Sequence, residues 1–155
     1  MANLGFHQVY SLINAIPDAI CERAFSEPDL SGSSLETGTP LGSFDVLAFA
    51  LPFELNYIAV PALLDRTGIG SRRAERDIGR PVIIAGGIAV TANPEPLADF
   101  VDAVVLGDAE LVLEPMLDAV IRFGRFDRDR LADEFANIPG IYVPQRYAPQ
   151  YGTAG

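Results

Sequence analysis

Three short patches of this chain carry residue types suited to holding a ligand: LPFE at 51–54, GGI at 86–88 and GDAE at 107–110. Each directly follows an apolar run. Glycine lets a backbone approach a ligand edge without a Cβ in the way, and it equally serves a tight turn that needs positive φ; Gly86-Gly87 permits both readings. In GDAE, backbone N–H groups can face a ligand while Asp108 or Glu110 accepts a hydrogen bond from a ligand hydroxyl or amide. The same two acids also suit the first turn of a following helix. They would repel a phosphate, which points away from nucleotides and towards a ligand rich in donors. Glu54 stands past another strand end, either in the same crevice or as N-terminal helix charge alone.

Catalytic chemistry is hard to assemble from the remaining residues. His7 is the only histidine, so a metal site built from several histidines is excluded, and its place inside a helical stretch reads as a partly buried packing role. Cys21 is the only cysteine, which excludes an internal disulfide, a thiolate zinc cluster and an iron–sulfur cluster ligated within the chain. In DAICERAF it reads as an ordinary buried thiol. There is no nucleophile elbow, no P-loop and no GxGxxG after the first strand, and Ser-His-Asp chemistry would rest on an unsupported His7. No catalytic residue and no metal ligand are assigned.

The elements that must position these patches follow from hydrophobic periodicity. The runs DVLAFALPFE (45–54), PVIIAGGIAV (81–90) and DAVVLGDAE (102–110) have the length and composition of strands buried on both faces. Each precedes a helix-compatible stretch, as in a parallel α/β sheet, whose ligands bind beyond the carboxyl ends of the strands. Helices are predicted from Leu4 to Ala15, after Glu54 with Leu55, Ile58, Ala59, Ala62 and Leu63 on one face, from about Ala109 to Phe123, and around Arg128 to Phe135. On the Ala109–Phe123 helix, Leu113, Met116, Leu117, Val120 and Ile121 share a face. Pro61 should kink the second helix or cost it a hydrogen bond. DAICERAF (18–25) reads as a fourth strand and IYV (141–143) as a short additional one. Residues 26–43 read as a surface loop, and so does SRRAERDIGR (71–80), in preference to a phosphate-binding patch. In TANPEPLADF (91–100), Pro94 opens a short helix out of a loop.

At 155 residues, 49% apolar and 21% charged, the chain is one globular domain. A net charge of −10 with no lysine repels phosphate backbones, so direct nucleic-acid binding is not expected. No apolar run has the roughly 18 residues of a membrane span, and the N-terminus lacks signal-peptide character, so a cytoplasmic location is expected.

Taken together, NLGFHQVYSLIN, CERAF, FDVLAFALPFELNYIAVPALLD, VIIAGGIAV with TANPEPLADFVDAVVLGDAE, and IPGIYVP resemble the N-terminal part of cobalamin (B12)-binding-type radical S-adenosylmethionine (radical SAM) proteins. NPEPLADFVDAVVLGDAE is the strongest part, and the resemblance runs from Met1 to about Pro144. It implies a three-layer flavodoxin-like, cobalamin-binding-domain-like α/β sandwich over 1–144, with a mostly parallel sheet whose first strand is missing. Residues 145–155 would form a frayed tail or a linker to a radical SAM domain. The resemblance also implies that Leu51, Glu54, Gly86, Gly87, Ile88, Gly107, Asp108, Ala109 and Glu110 surround a corrin ring or its tail, whose side-chain amides are donors.

Two departures qualify this. The DxHxxG motif that supplies a cobalt-ligating histidine is absent, so a bound cobalamin would lack that ligand. The strand that precedes the NLGF helix in relatives and the CxxxCxxC cluster motif are also absent. A 4Fe-4S cluster and S-adenosylmethionine would therefore belong to a domain outside this chain, which reads as a fragment that is inactive alone. The expected role is a cobalamin-type module serving a radical SAM barrel; the alternative is an interaction domain that docks on the barrel and binds no cobalamin. With the first strand missing, 18–25 is expected to pair directly with 45–51.

Overall fold

The computed structural model of the protein describes residues 4–26 and 32–148. Its sheet has four strands, β1 (Val46–Ala50), β2 (Val82–Gly86), β3 (Ala103–Val105) and β4 (Ile141–Tyr142), in the order β1-β2-β3-β4. The first three are parallel, with Val46 opposite Val82 and Ile84 opposite Ala103, and β4 runs antiparallel to β3. α1 (Leu4–Ile13) precedes β1, α2 (Ala59–Arg66) lies between β1 and β2, α3 (Ile88–Ala92) between β2 and β3, and α4 (Leu113–Phe123) and α5 (Arg128–Ala136) between β3 and β4. The mostly parallel α/β sandwich expected from the apolar runs is the observed architecture.

Side-chain alternation along the strands builds two cores. Val82, Ile84, Ala103 and Val105 face α4 and α5 through Leu113, Met116, Leu131 and Phe135, and α1 adds Val9 and Ile13 to that side. Ile83, Ala85 and Val104 face the other way, against Val60, Leu63 and Leu64 of α2 and Val90 of α3. The residues of β2 from Val82 to Ala85 are all buried, as a strand covered on both faces requires. Among the described residues no helix is long and apolar enough to cross a membrane.

Several expectations need correction. Residues 19–26 form no strand and do not pair with β1; this segment is tied instead through Asn14, whose side chain accepts from Cys21 N–H at 2.9 Å and donates to Cys21 O at 3.1 Å. The fourth strand is β4. A strand needs a neighbouring ladder, and local composition alone cannot supply one. The chain after Glu54 is a 3-10 turn, Glu54–Ile58, before α2 begins, so Leu55 and Ile58 do not share the buried face of Leu63. Pro61 is the third residue of α2, within its first turn, where the missing N–H removes no bond inside α2. Ile121 is more than half exposed, since only Leu113, Met116 and Ala119 of α4 reach full burial. His7 is exposed, edge-on to Phe6, and Cys21 is half-buried. Pro94 does open a short turn, Glu95–Leu97.

The segment 71–80 is a largely exposed loop, as expected, but it anchors itself to the fold through one side chain. It turns at Arg73–Glu75 and buries Arg76. Part of the loop predicted at 26–43 falls on residues 27–31, outside those described; the remainder makes a bridge between Ser33 and Pro40. At the other end, Gln145 donates to Val101 O at 3.0 Å and the Tyr147 ring lies 5.0 Å from that of Tyr142, while 149–155 fall outside the described residues.

Candidate functional site

The predicted site residues all lie where the strands end, and the backbone joins most of them. Leu51 N donates to Gly86 O at 2.8 Å, and Ala89 N donates to Leu51 O at 3.3 Å. Gly87, with φ 115°, stands against the same peptide: a Cβ there would sit 2.7 Å from Leu51 O. Of the two readings of Gly86-Gly87, the geometry shows the positive-φ turn, and the close approach that glycine permits is made by the chain itself. Ile88 follows with its side chain exposed. Thr91 Oγ1 donates to Gly87 O at 3.0 Å and accepts from Gly107 N–H at 3.1 Å, so the β2 and β3 ends are stitched through α3.

Gly107 has φ 91° and open space where a Cβ would project. Asp108 is the N-cap residue of the turn Ala109–Leu111 but makes no side-chain capping bond, and Glu110 occupies the first turn; both carboxylates are exposed. Ala109 is half-buried against the α4 core. On the far side Glu54 opens its own turn, exposed, and Tyr57 Oη donates to Asn93 O at 2.8 Å, which fastens that turn to the end of α3. Burial raises the Tyr57 pKa, and nearby Glu54 raises it further.

The sequence reading missed what surrounds these residues. Phe53, Leu55, Ile58, Ile88 and Leu111 are each between 66% and 85% exposed. Each belongs to a segment that follows the carboxyl end of one of the three parallel strands, so all five stand at that end of the sheet. Scattered exposed apolar residues need no explanation, but a group on one face marks an interaction surface. The signal was present in FELNYI, where apolar residues stand at spacings that one short turn cannot bury.

A second constellation, also missed, sits at the opposite end of the sheet. Asp102, just before β3, is buried, and its Oδ1 accepts from Arg73 Nε and Arg128 Nη1, both at 3.1 Å. Its Oδ2 accepts from Arg76 Nη2 at 3.2 Å and from Ile83 N–H at 2.8 Å. Arg128 also donates to the carbonyls of Arg80 and Pro81 at 2.6 and 2.8 Å. Burial pushes the Arg76 and Arg128 guanidinium pKa values down, and the facing carboxylate partly restores them. One carboxylate thus gathers three guanidiniums and locks the 71–80 segment and α5 onto the base of the sheet. The cavity beside it, about 10 Å³, has room for one water at most. A larger open groove of about 540 Å³ lies beyond Arg73, lined by Glu95, Asp99, Tyr142, Gln145 and Tyr147.

Neither end offers evident catalytic chemistry. Among the described residues no three His, Cys, Asp or Glu side chains converge to hold a metal. The Cys21 thiol pKa is raised by burial and by Glu36 and Glu22, the reverse of an activated nucleophile.

A family model for the N-terminal domain of radical SAM proteins matches residues 5–144. The chain belongs to that family. The match spans α1 to β4 and includes every predicted site residue and the Asp102 hub, so both ends of the sheet are parts of this radical SAM N-terminal domain. No curated protein and no solved structure matches the chain.

Proposed function

We propose that this radical SAM N-terminal domain is a non-catalytic module that docks on the radical SAM catalytic domain through its strand-end face. The observation that carries this reading is the rim of Phe53, Leu55, Ile58, Ile88 and Leu111, exposed around a surface whose backbone is already bonded to itself. The sheet topology supports it. Ligand crevices in open α/β sheets form where the strand order reverses. Here the described strands are in sequential order and α2 and α3 pack on the same face, so they contain no such reversal. The exposed Glu54, Asp108 and Glu110 favour a partner whose apolar patch is bordered by basic residues.

The test is the affinity between this chain and the catalytic domain of a radical SAM protein that carries it, measured by titration calorimetry. Phe53→Asp and Ile88→Asp should each weaken binding at least tenfold, as loss of an apolar anchor does, with unchanged melting temperature. Equal affinity of both variants and the wild type would refute the reading.

Cobalamin binding is a second reading, favoured by the open space at Gly107 and the uncommitted carboxylates of Asp108 and Glu110, which are suited to accept from corrin amides. Titrating hydroxocobalamin separates the two. A saturable shift of the corrin spectrum that Gly107→Val abolishes would establish the cofactor role, and an unchanged spectrum leaves docking alone.

A further inference from the structure

The open groove beyond Arg73, about 540 Å³, has the volume of a small-molecule site. Its lining comes from three stretches far apart in sequence, 73–74, 95–99 and 142–148. The Arg73 N–H donates to Asp99 O at 2.8 Å, and Gln145 Nε2 donates to Val101 O at 3.0 Å, so the walls are bonded to one another through the fold.

Two opposite charges line this groove and do not pair with each other. Arg73 is fixed through Nε, which donates to Asp102 Oδ1 at 3.1 Å, and its two Nη groups bond to nothing among the described residues. A guanidinium held this way presents its Nη pair as a fork that matches a carboxylate. Glu95 makes no ion pair among the described residues. Its Oε1 accepts from the Tyr142 hydroxyl at 2.6 Å, which orients the carboxylate and leaves Oε2 uncommitted. Asp99, the other acid on the groove, already pairs with Arg72 at 2.8 Å. The rings of Tyr142 and Tyr147 lie 5.0 Å apart with their planes 44° from parallel, and Tyr147 is 63% exposed. Such ring faces attract another flat ring or an ammonium group.

We propose that this groove binds a small zwitterion that carries a flat apolar ring, of the class of an aromatic α-amino acid. Its carboxylate meets the Nη fork of Arg73, its ammonium meets Glu95 Oε2, and its ring lies against Tyr142 and Tyr147. The charges select this class. An anion alone would meet Glu95 and Asp99 on a chain of net charge −10, and a cation alone would meet Arg73 and leave its fork empty. An uncharged ring would forgo both polar contacts. The site is independent of the strand-end face and of docking there.

The probes are L-phenylalanine, phenethylamine, which lacks the carboxylate, and hydrocinnamate, which lacks the ammonium; binding to the full chain is titrated by ligand-observed NMR. L-phenylalanine should bind saturably, and each of the other two at least tenfold more weakly, as the loss of one charge-assisted hydrogen bond requires. Glu95→Gln keeps an acceptor for Tyr142, so the variant should keep its melting temperature. It should weaken L-phenylalanine at least tenfold and leave hydrocinnamate no weaker, since that compound has no ammonium to lose. Tyr147→Ala, at an exposed ring, should weaken all three. Absence of saturable L-phenylalanine binding at millimolar concentration would overturn the proposal. So would equal binding of the three compounds, or an equal loss of L-phenylalanine and hydrocinnamate on Glu95→Gln, because the groove would then not be reading the two charges.

Discussion

Replacing Asp102 by Asn keeps the shape of the side chain and removes the only charge among the described residues that answers Arg73, Arg76 and Arg128. The Arg76 side chain is 0% exposed and already leaves its Nε without a partner. Breaking a buried ion pair from one side costs about 3–5 kcal/mol, because the remaining charge stays desolvated. If the Asn amide turns its nitrogen towards Ile83 N–H, that donor is orphaned and adds about 1–3 kcal/mol. A domain of this size has roughly 5–15 kcal/mol of stability and loses about 2–4 °C of melting temperature per kcal/mol. Asp102→Asn should therefore lower Tm in a circular-dichroism melt by about 6–20 °C from the broken ion pairs alone, and by up to about 32 °C if Ile83 N–H is orphaned as well. Asp99→Asn is the control: its pair with Arg72 is 71% and 54% exposed, and such surface pairs contribute about 0–1 kcal/mol. In the Asp102→Asn background, Arg76→Met should recover stability, since it removes a charge that has lost its answer. Equal melting of Asp102→Asn and Asp99→Asn, or further destabilisation by Arg76→Met in that background, would refute the hub as the lock on the base of the sheet.

Gly87→Ala meets both a positive φ and the Leu51 carbonyl, whereas Gly107→Ala meets only the positive φ, about 1–2 kcal/mol; urea unfolding should rank Gly87→Ala as clearly the more destabilising. The Tyr142 hydroxyl donates to Glu95 Oε1 at 2.6 Å, and burial together with that bond pushes its pKa up to about 12. An unfolded tyrosine ionises near 10, so between about pH 10 and 12 the folded state holds the proton that the unfolded state releases, and stability falls with rising pH. Tyr142→Phe should lack this part of the alkaline loss in unfolding curves measured at stepped pH.

The strands β1, β2 and β3 were legible because each is an uninterrupted apolar run, although only β2 and β3 are covered on both faces and β1 leaves Ala48 and Ala50 exposed, and α4 and α5 because their apolar residues recur at helical spacing. DAICERAF, interrupted by Asp18, Glu22 and Arg23, has no neighbouring ladder, and a strand is a property of the pair. The Asp102 hub joins residues 73, 76, 102 and 128, contacts no local pattern encodes; three arginines on two separate segments and an aspartate that leads a strand are suggestive only once the fold is known. At the strand ends, the positive φ of Gly87 was anticipated by its GG context. What occupies its open side is Leu51, a long-range contact. The exposed rim was hidden for a related reason: Leu55 and Ile58 fit a helical face, and only the 3-10 geometry of 54–58 turns them outward.

The docking claim is tested most directly by amide hydrogen exchange across this chain, alone and mixed with the radical SAM catalytic domain. The account predicts new protection concentrated at 53–58, 86–91 and 107–111, with the Asp102 end unchanged. Protection confined to the Asp102 end or to the groove at Tyr142, with the strand-end face still exchanging freely, would contradict it.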